Sequence, residues 1–329
     1  MTALRVLFLG GAGLIGSACA AEAVRQGIDL TVVTRGPAEV RPVPAGARHV
    51  RADVHDARAL AAALGGADHD SVVNWVGFTP ESVTADVEAF TGHTGQYVFI
   101  STCSVFARPV PLLPVTESSP RRNDAWPYPR DKIASEVVLE AAYRDRSFPL
   151  TIVRPTHVYD RTVVPVLAGW TAVARMRQGL PVVVHGDGTS LWNLTHTSDF
   201  ARAFVALLGN PHTVGESVNV LGEEVLTWDQ IHLALAAAAG VREPRLVHRS
   251  SETIETEVPR WGPVLRHDFG HTVLFDTTKL RRLVPGFTAR VPFARAARTI
   301  VDWHDADPAR QRVDDSLGAA FDRLAAARA

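Results

Sequence analysis

The sequence predicts an α/β protein: a doubly wound parallel sheet joined to a smaller mixed α/β C-terminal domain. Three observations carry that reading. Short apolar, β-rich runs alternate with helical patterns through the first half of the chain. A glycine-rich turn follows the first of those runs directly. Past residue 155 the alternation loosens, and Pro, Arg, His and Trp accumulate in an irregular segment over 241–293.

The elements follow in order. RVLFL (5–9) reads as a buried strand, with a helix from Leu14 to Gln26 behind it. LTVVT (30–34), SVVNWV (71–76), YVFIS (97–101) and LTIVR (150–154) read as further strands, with helical stretches near 57–64, 81–91 and 129–146. Alternation of this kind predicts parallel strands joined by right-handed helical crossovers. In the second half 163–179 and 198–209 look helical and 181–185 looks like a strand. A helix over 227–240 has Thr227 as N-cap and Gly240 as its stop. The tail, 316–329, reads as an amphipathic surface helix.

With 34 basic and 35 acidic residues among 329, the chain lacks the charge excess of a broad nucleic-acid footprint. No apolar run reaches the roughly 18–20 residues that span a bilayer, and the N-terminus lacks the layout of a signal peptide. Cys19 and Cys103 alone cannot form a disulfide framework. The expectation is a soluble protein of the reducing cytoplasm.

In GGAGLIG (10–16) the glycines Gly10, Gly13 and Gly16 stand between a strand and a helix that opens at Leu14 and Ile15. Such a turn allows close backbone approach to a pyrophosphate and offers free N–H groups at a helix N-terminus. The second strand ends in Thr34 and Arg35. A hydroxyl and a cation there suit the 2′-phosphate of NADP, where a carboxylate would suit NAD. Asp53, with Val54 beside it, lies where a carboxylate can accept from the adenine amino group. Trp75, Ser101 and Pro155, at or beyond later strand ends, complete the expected cofactor contacts.

AWPYPRDKIASE (125–136) places Tyr128 and Lys132 four residues apart near the start of a helix, hence on one face. A phenol has an ordinary pKa near 10 and is a poor base at neutral pH. An ammonium one turn away, with a positive nicotinamide ring, is expected to lower that value, so that Tyr128 exchanges a proton while hydride moves to or from the cofactor.

GGAGLIG, ISTCSVF, YPRDK, RPTHVY and GDGTSLWNLTHTSDFARAF occur in the order and at the spacing found in the extended short-chain dehydrogenase/reductases. The chain therefore resembles that family, the NAD-dependent epimerase/dehydratase group. The resemblance implies a Rossmann domain over 1–155, taking in about 195–222 as well, and a mainly substrate-binding domain over 156–329. It implies Tyr128 as acid/base, Lys132 as its partner and a ligand of the nicotinamide ribose, and Thr102 as the oxygen-positioning hydroxyl, with Ser101 and Ser104 as alternatives. It also implies a homodimer paired through 81–95 and the Tyr128 helix.

The departures matter as much. Dehydratases of the family follow the threonine with an Asp-Glu pair; here Cys103 and Ser104 stand in those places, which disfavours dehydration. An epimerase or reductase acting on a sugar-like, nucleotide-linked or free, small molecule remains. Where relatives carry a diphosphate-clamping arginine this chain has Trp192, and His157 stands near the usual asparagine. Arg161, Arg175 and Arg177 are the alternatives for a phosphate grip. The C-terminal half is similar to the chloroplast stem-loop-binding branch, which makes RNA binding the rival reading, disfavoured by the neutral charge balance. His267 and His271 have metal-ligand spacing, but Gly270 argues against the helix that would align them, and no metal is expected. Trp228, Trp261 and Trp303 are read as core or interface residues, with the substrate cleft as the alternative for loop-borne Trp261.

Overall fold

A computed structural model describes residues 3–36 and 41–327. Seven strands form one parallel sheet: β1 (Arg5–Leu9), β2 (Asp29–Thr34), β3 (Arg48–Arg51), β4 (Ser71–Asn74), β5 (Tyr97–Ile100), β6 (Leu150–Pro155) and, after three intervening strands, β10 (Ser217–Val220). Their spatial order is β3-β2-β1-β4-β5-β6-β10, every neighbour parallel. The order reverses at β1, and ligands of open α/β sheets bind at the strand C-termini beside such a reversal.

Strand β1 shows why these runs are apolar throughout. Val6 and Phe8 enter one core cluster and Leu7 and Leu9 another, because alternate side chains leave opposite faces and helices cover both. Helix α1 (Leu14–Arg25) lies on the first face, while α3 (Pro80–Phe90) and α4 (Pro127–Arg146) pack together on the second. The helix α2 (Ala57–Leu64) also joins the second face. Thr79 opens α3 with a reciprocal capping box to Ser82.

The second half crosses back. Beyond α5 (Trp170–Arg177), helix α6 (Thr197–Val205) packs on α1, and β10 pairs with β6. The remaining strands make two small sheets. One holds β7 (His157–Tyr159), β9 (Leu191–His196) and β11 (Val225–Thr227); the other pairs β8 (Val182–His185) with β12 (Leu246–Arg249). Helix α7 (Trp228–Ala238) opens at Thr227 through a capping box with Gln230. The terminal helix Asp315–Ala326 buries Leu317, Ala320, Phe321 and Leu324 in a third core cluster, formed by residues from Tyr159 onward.

Three expectations are corrected. Strand β3 was missed because RHVR is an edge strand with only Val50 partly inside, so it lacks an apolar run. The helix expected over 163–179 is confined to Trp170–Arg177, after Pro165 and Gly169. The segment 241–293 is not mainly loop: it holds β12, a helix at Ser251–Glu257, a π-helical turn at Leu265–Phe269 and a helix at Thr278–Leu283.

Candidate active site

The glycine turn joins β1 to α1 at the switch point. Gly10 has φ +82°, and a Cβ there would lie 2.8 Å from Val76 Cγ1. A Cβ on Gly16 would fall 2.5 Å from Gly11 Cα, so the first turn of α1 lies directly on the loop. A Cβ on Gly13 would meet nothing within 4 Å. Gly13 is the N-cap of α1, with no side-chain cap and no acidic residue in the first turn. Uncapped N–H groups of the opening turn at Leu14, Ile15 and Gly16, beside an open glycine surface, fit a dinucleotide pyrophosphate.

Arg35, Asp53 and Val54 line the same cleft, about 300 Å³ in volume. Arg35 and Asp53 are exposed. Thr34 also lines it, but its hydroxyl donates to Gly36 O at 2.9 Å and lies 2.7 Å from His49 Nε2. Trp75 is placed differently from the expectation. Its ring packs between Phe8 (5.3 Å) and Phe204 (5.1 Å) beneath the glycine turn, and Val76 lines the cleft instead.

Pro127 and Pro129 in its first turn start α4, and Tyr128 stands between them with its side chain partly exposed. The phenol stands near the Thr102 hydroxyl, which pulls its pKa down, and Thr102 Oγ1 accepts from Ser104 N at 3.2 Å. Lys132 is buried. Its Nζ donates to Gly77 O and Ile100 O, both at 2.7 Å, and lies over the rings of Phe78 and Phe99. Lys132 does not exert the expected pull on the phenol. Burial raises the Tyr128 pKa, outweighing the opposite effect of the nearby Thr102 hydroxyl, and the charge of Asp268 raises it further. Lys132 is itself lowered to about 7 by burial, against the pull of Glu136, and it spends its hydrogen bonds on carbonyls. Ser101 is buried at the end of β5, with its amide donating to Val153 O.

Beyond Thr102 a pocket of about 150 Å³ opens between the sheet end and the second half of the chain. Cys103, Ser104 and Pro155 line it from the first half, His157 and Trp192 from β7 and β9, and Asp268 and Phe269 from the π-helical turn. The Cys103 thiol donates to Arg154 O at 3.4 Å, and burial pushes its pKa up, which leaves it an inert thiol. Phe269 packs on Trp192 (4.7 Å), Trp228 (4.9 Å) and His157 (5.4 Å). Its carbonyl accepts from Trp228 Nε1 and His185 Nε2, both at 3.1 Å. Trp192 Nε1 donates to His157 Nδ1 at 3.2 Å.

Arg108, Asp268 and Phe269 escaped sequence reading. Asp268 Oδ2 accepts from Ser104 Oγ at 2.6 Å and Oδ1 from Arg108 Nη2 at 3.1 Å; both charged side chains are buried. The only signal was RHDFGH, where the histidine pair drew attention instead; His271 Nε2 in fact contacts Arg266 O at 2.8 Å. The arginines offered for phosphate lie elsewhere. Arg175 bonds Pro181 O, Gly318 O and Asp322, Arg177 pairs with Asp305, and Arg161 is exposed and does not line the pocket. Trp261 packs on Phe321 at 6.0 Å in the core of the second half of the chain, and it does not line the pocket beyond Thr102.

A separate groove of about 490 Å³ runs between α2 and α3, with Asp86 in its wall. Asp86 is buried against Tyr97 Oη (2.5 Å) and Asn74 Nδ2. Asn74 Oδ1 in turn accepts from Val76 N at 2.8 Å, beside the cofactor cleft. Among the described residues no helix is long and apolar enough to cross a membrane.

Known proteins resemble this chain in sequence and in fold. The chain is 26% identical to the chloroplast stem-loop binding protein of 41 kDa b of Arabidopsis thaliana, over 74% of this chain and 65% of that one, so it spans less than two thirds of that relative's length. It is 28% identical to 2′-dehydrokanamycin reductase of Streptomyces kanamyceticus (87% of this chain, 81% of the relative). It is 27% identical to dTDP-glucose 4,6-dehydratase of Streptomyces niveus (92% and 93%). Among solved structures, the epimerase Mth375 of Methanothermobacter thermautotrophicus superposes with a TM-score of 0.75 at 17% identity (94% and 95%). UDP-glucuronic acid 4-epimerase of Bacillus cereus, in complex with UDP-glucuronic acid and NAD, does so at 0.72 and 19% (92% and 99%). The family model of the NAD dependent epimerase/dehydratase family matches residues 6–220, and with the glycine turn and the seven-stranded sheet in place, the chain belongs to that family.

Proposed function

We propose that this protein is an NAD(P)-dependent reductase or epimerase acting by hydride transfer at a secondary alcohol or ketone of a sugar-like small molecule, with NADP preferred. The observation that carries the reading is the Tyr128 phenol beside Thr102, which lines the pocket at the sheet end. A dinucleotide held at the glycine turn by Gly10, Gly13 and the start of α1 would supply hydride-transfer chemistry. Thr102 holds the substrate oxygen, and Tyr128 takes the hydroxyl proton as the hydrogen on the same carbon leaves with its bonding electron pair, as hydride, and the ketone forms; reduction reverses both movements. Lys132 fixes the loop at Gly77 and the end of β5, and a cofactor ribose hydroxyl is within the chemistry of its ammonium.

Dehydration is disfavoured because neither Cys103 nor Ser104 is a general acid, although a dehydratase stands among the relatives. The likeness to a reductase of a keto-aminoglycoside supports the reductase arm. NADP rests on Arg35 at the cleft rim; the solved relative quoted above carries NAD. A homodimer through α3 and α4, where Val137 stands exposed, belongs to the same reading and is checked by sedimentation.

The test is Tyr128→Phe. Turnover should fall by about a thousandfold or more, with cofactor affinity nearly unchanged. Turnover at the unsubstituted rate excludes Tyr128 as the acid/base. A reductase consumes NAD(P)H absorbance, and an epimerase leaves it constant.

A further inference from the structure

His157 enters the substrate pocket in a single tautomer. An indole N–H can only donate, so the 3.2 Å contact from Trp192 Nε1 makes His157 Nδ1 the acceptor and puts the ring hydrogen on Nε2. Burial lowers the pKa of the ring to about 4, so it is neutral at physiological pH. The Phe269 ring stacks on it at 5.4 Å with an interplanar angle of 27°, which fixes its plane. Among the described residues the bond from Trp192 is the only hydrogen bond the imidazole makes, so Nε2–H is a donor with no protein acceptor.

The charged groups of the pocket complete the pattern. Arg108 is the only lysine or arginine among the lining residues, and its guanidinium is committed to Asp268. Its Nε is a buried N–H without a partner. Asp268 uses one lone pair of each oxygen on Ser104 and Arg108, which leaves acceptor capacity on both. Trp192 and Phe269 supply flat apolar surface of the kind that packs on the C–H face of a ring.

We infer that this pocket takes an uncharged, hydroxyl-bearing ring that carries no nucleotide diphosphate, a free sugar or cyclic polyol or its keto form, with His157 Nε2–H donating to a substrate oxygen and Asp268 accepting from a substrate hydroxyl. The inference rests on the hydride-transfer reading and names its substrate class. A diphosphate here would meet a neutralised arginine, a neutral imidazole and a carboxylate, none of which offsets its desolvation. The volume of about 150 Å³ suits a single ring, below the roughly 300–1,000 Å³ of pockets for larger ligands.

Two measurements test it. Histidine ¹⁵N NMR, assigned with His157→Gln, should show His157 protonated at Nε2 alone; a proton on Nδ1 overturns the tautomer and the inference with it. Calorimetry on the NADP⁺-saturated protein, with D-glucose, D-galactose, myo-inositol and UDP as probes, should show saturable binding of at least one free ring and none of UDP. That binding should weaken about tenfold in His157→Phe, as for a lost hydrogen bond, and recover partly in His157→Gln, which restores an N–H. Asp268→Asn should weaken it as well, while NADP⁺ affinity stays the same in all three variants. Binding of UDP, failure of all three rings, or unchanged binding in His157→Phe overturns the inference. If cofactor binds and Tyr128→Phe loses turnover, such a failure falls on the substrate class alone; if neither holds, the hydride-transfer reading itself fails.

Discussion

Glu136 and Arg154 meet as a two-pronged ion pair sealed from solvent. Arg154 Nε donates to Oε1 at 2.8 Å and Nη2 to Oε2 at 2.9 Å, with 0% and 1% side-chain exposure. Glu136 lies one turn beyond Lys132 on α4 and Arg154 lies in β6, so the pair fixes the helix that carries Tyr128 to the sheet. Arg121 adds a third contact at the same carboxylate. Glu136→Ala strands a buried guanidinium and should destabilise the fold by about 3–5 kcal/mol in urea unfolding. Glu136→Leu combined with Arg154→Met should recover most of that loss. A single substitution costing under about 1 kcal/mol, the range of exposed pairs, contradicts the account.

Gly16 touches the backbone of Gly11, with no room for a methyl group. Gly16→Ala should push α1 away from the glycine turn, costing about 1–3 kcal/mol of stability. NADP⁺ affinity should drop at least about tenfold by fluorescence titration. A variant that binds cofactor normally shows that the helix start is not part of the pyrophosphate site.

Arg35 stands at the cleft rim, where a 2′-phosphate would lie. Arg35→Ala should weaken NADP⁺ binding about tenfold or more and leave NAD⁺ nearly unaffected. Equal losses for both cofactors dispose of the NADP preference.

Asp86 carries a pH dependence of definite sign. Burial raises its carboxyl from the ordinary range near 4 to about 6, against the hydrogen bonds from Tyr97 and Asn74. Between those values the folded protein holds more protons than the unfolded chain, so this group's contribution to stability falls as pH rises from about 4 to about 6. The loss is on the order of 3 kcal/mol. Asp86→Asn cannot ionise. The Tm of the variant minus that of the unsubstituted protein should therefore be more positive at pH 7.5 than at pH 4.5. An equal difference at both values removes Asp86 as the cause.

The sequence was readable where burial is two-sided. Strand β1 could be seen because Val6, Leu7, Phe8 and Leu9 all face core, whereas β3 escaped because an edge strand of Arg, His and Arg needs no such run. The glycine turn and the Tyr128–Lys132 helix were legible because their chemistry is local. What Lys132 does with its charge was not, since the carbonyls of Gly77 and Ile100 reach it from 55 and 32 residues away. Trp75 misled for a similar reason: nothing in its neighbours says that Phe204, from the other half of the chain, covers its ring. Asp268 was invisible because a π-helical turn has no hydropathy signature, and because Trp228 and His185 set that turn through the carbonyl of Phe269.

The return of α6 and β10 to the main sheet makes the molecule inseparable at the obvious cut. A fragment ending after β6 would keep the glycine turn and Tyr128, yet it would lose the edge strand beside Ile152 and Val153 and bare the rings of Phe8 and Trp75 that Phe204 covers. Swapping substrate lobes between relatives by exchanging everything downstream of residue 155 would therefore break the nucleotide half as well; a workable chimera has to leave Thr197–Val220 with its host.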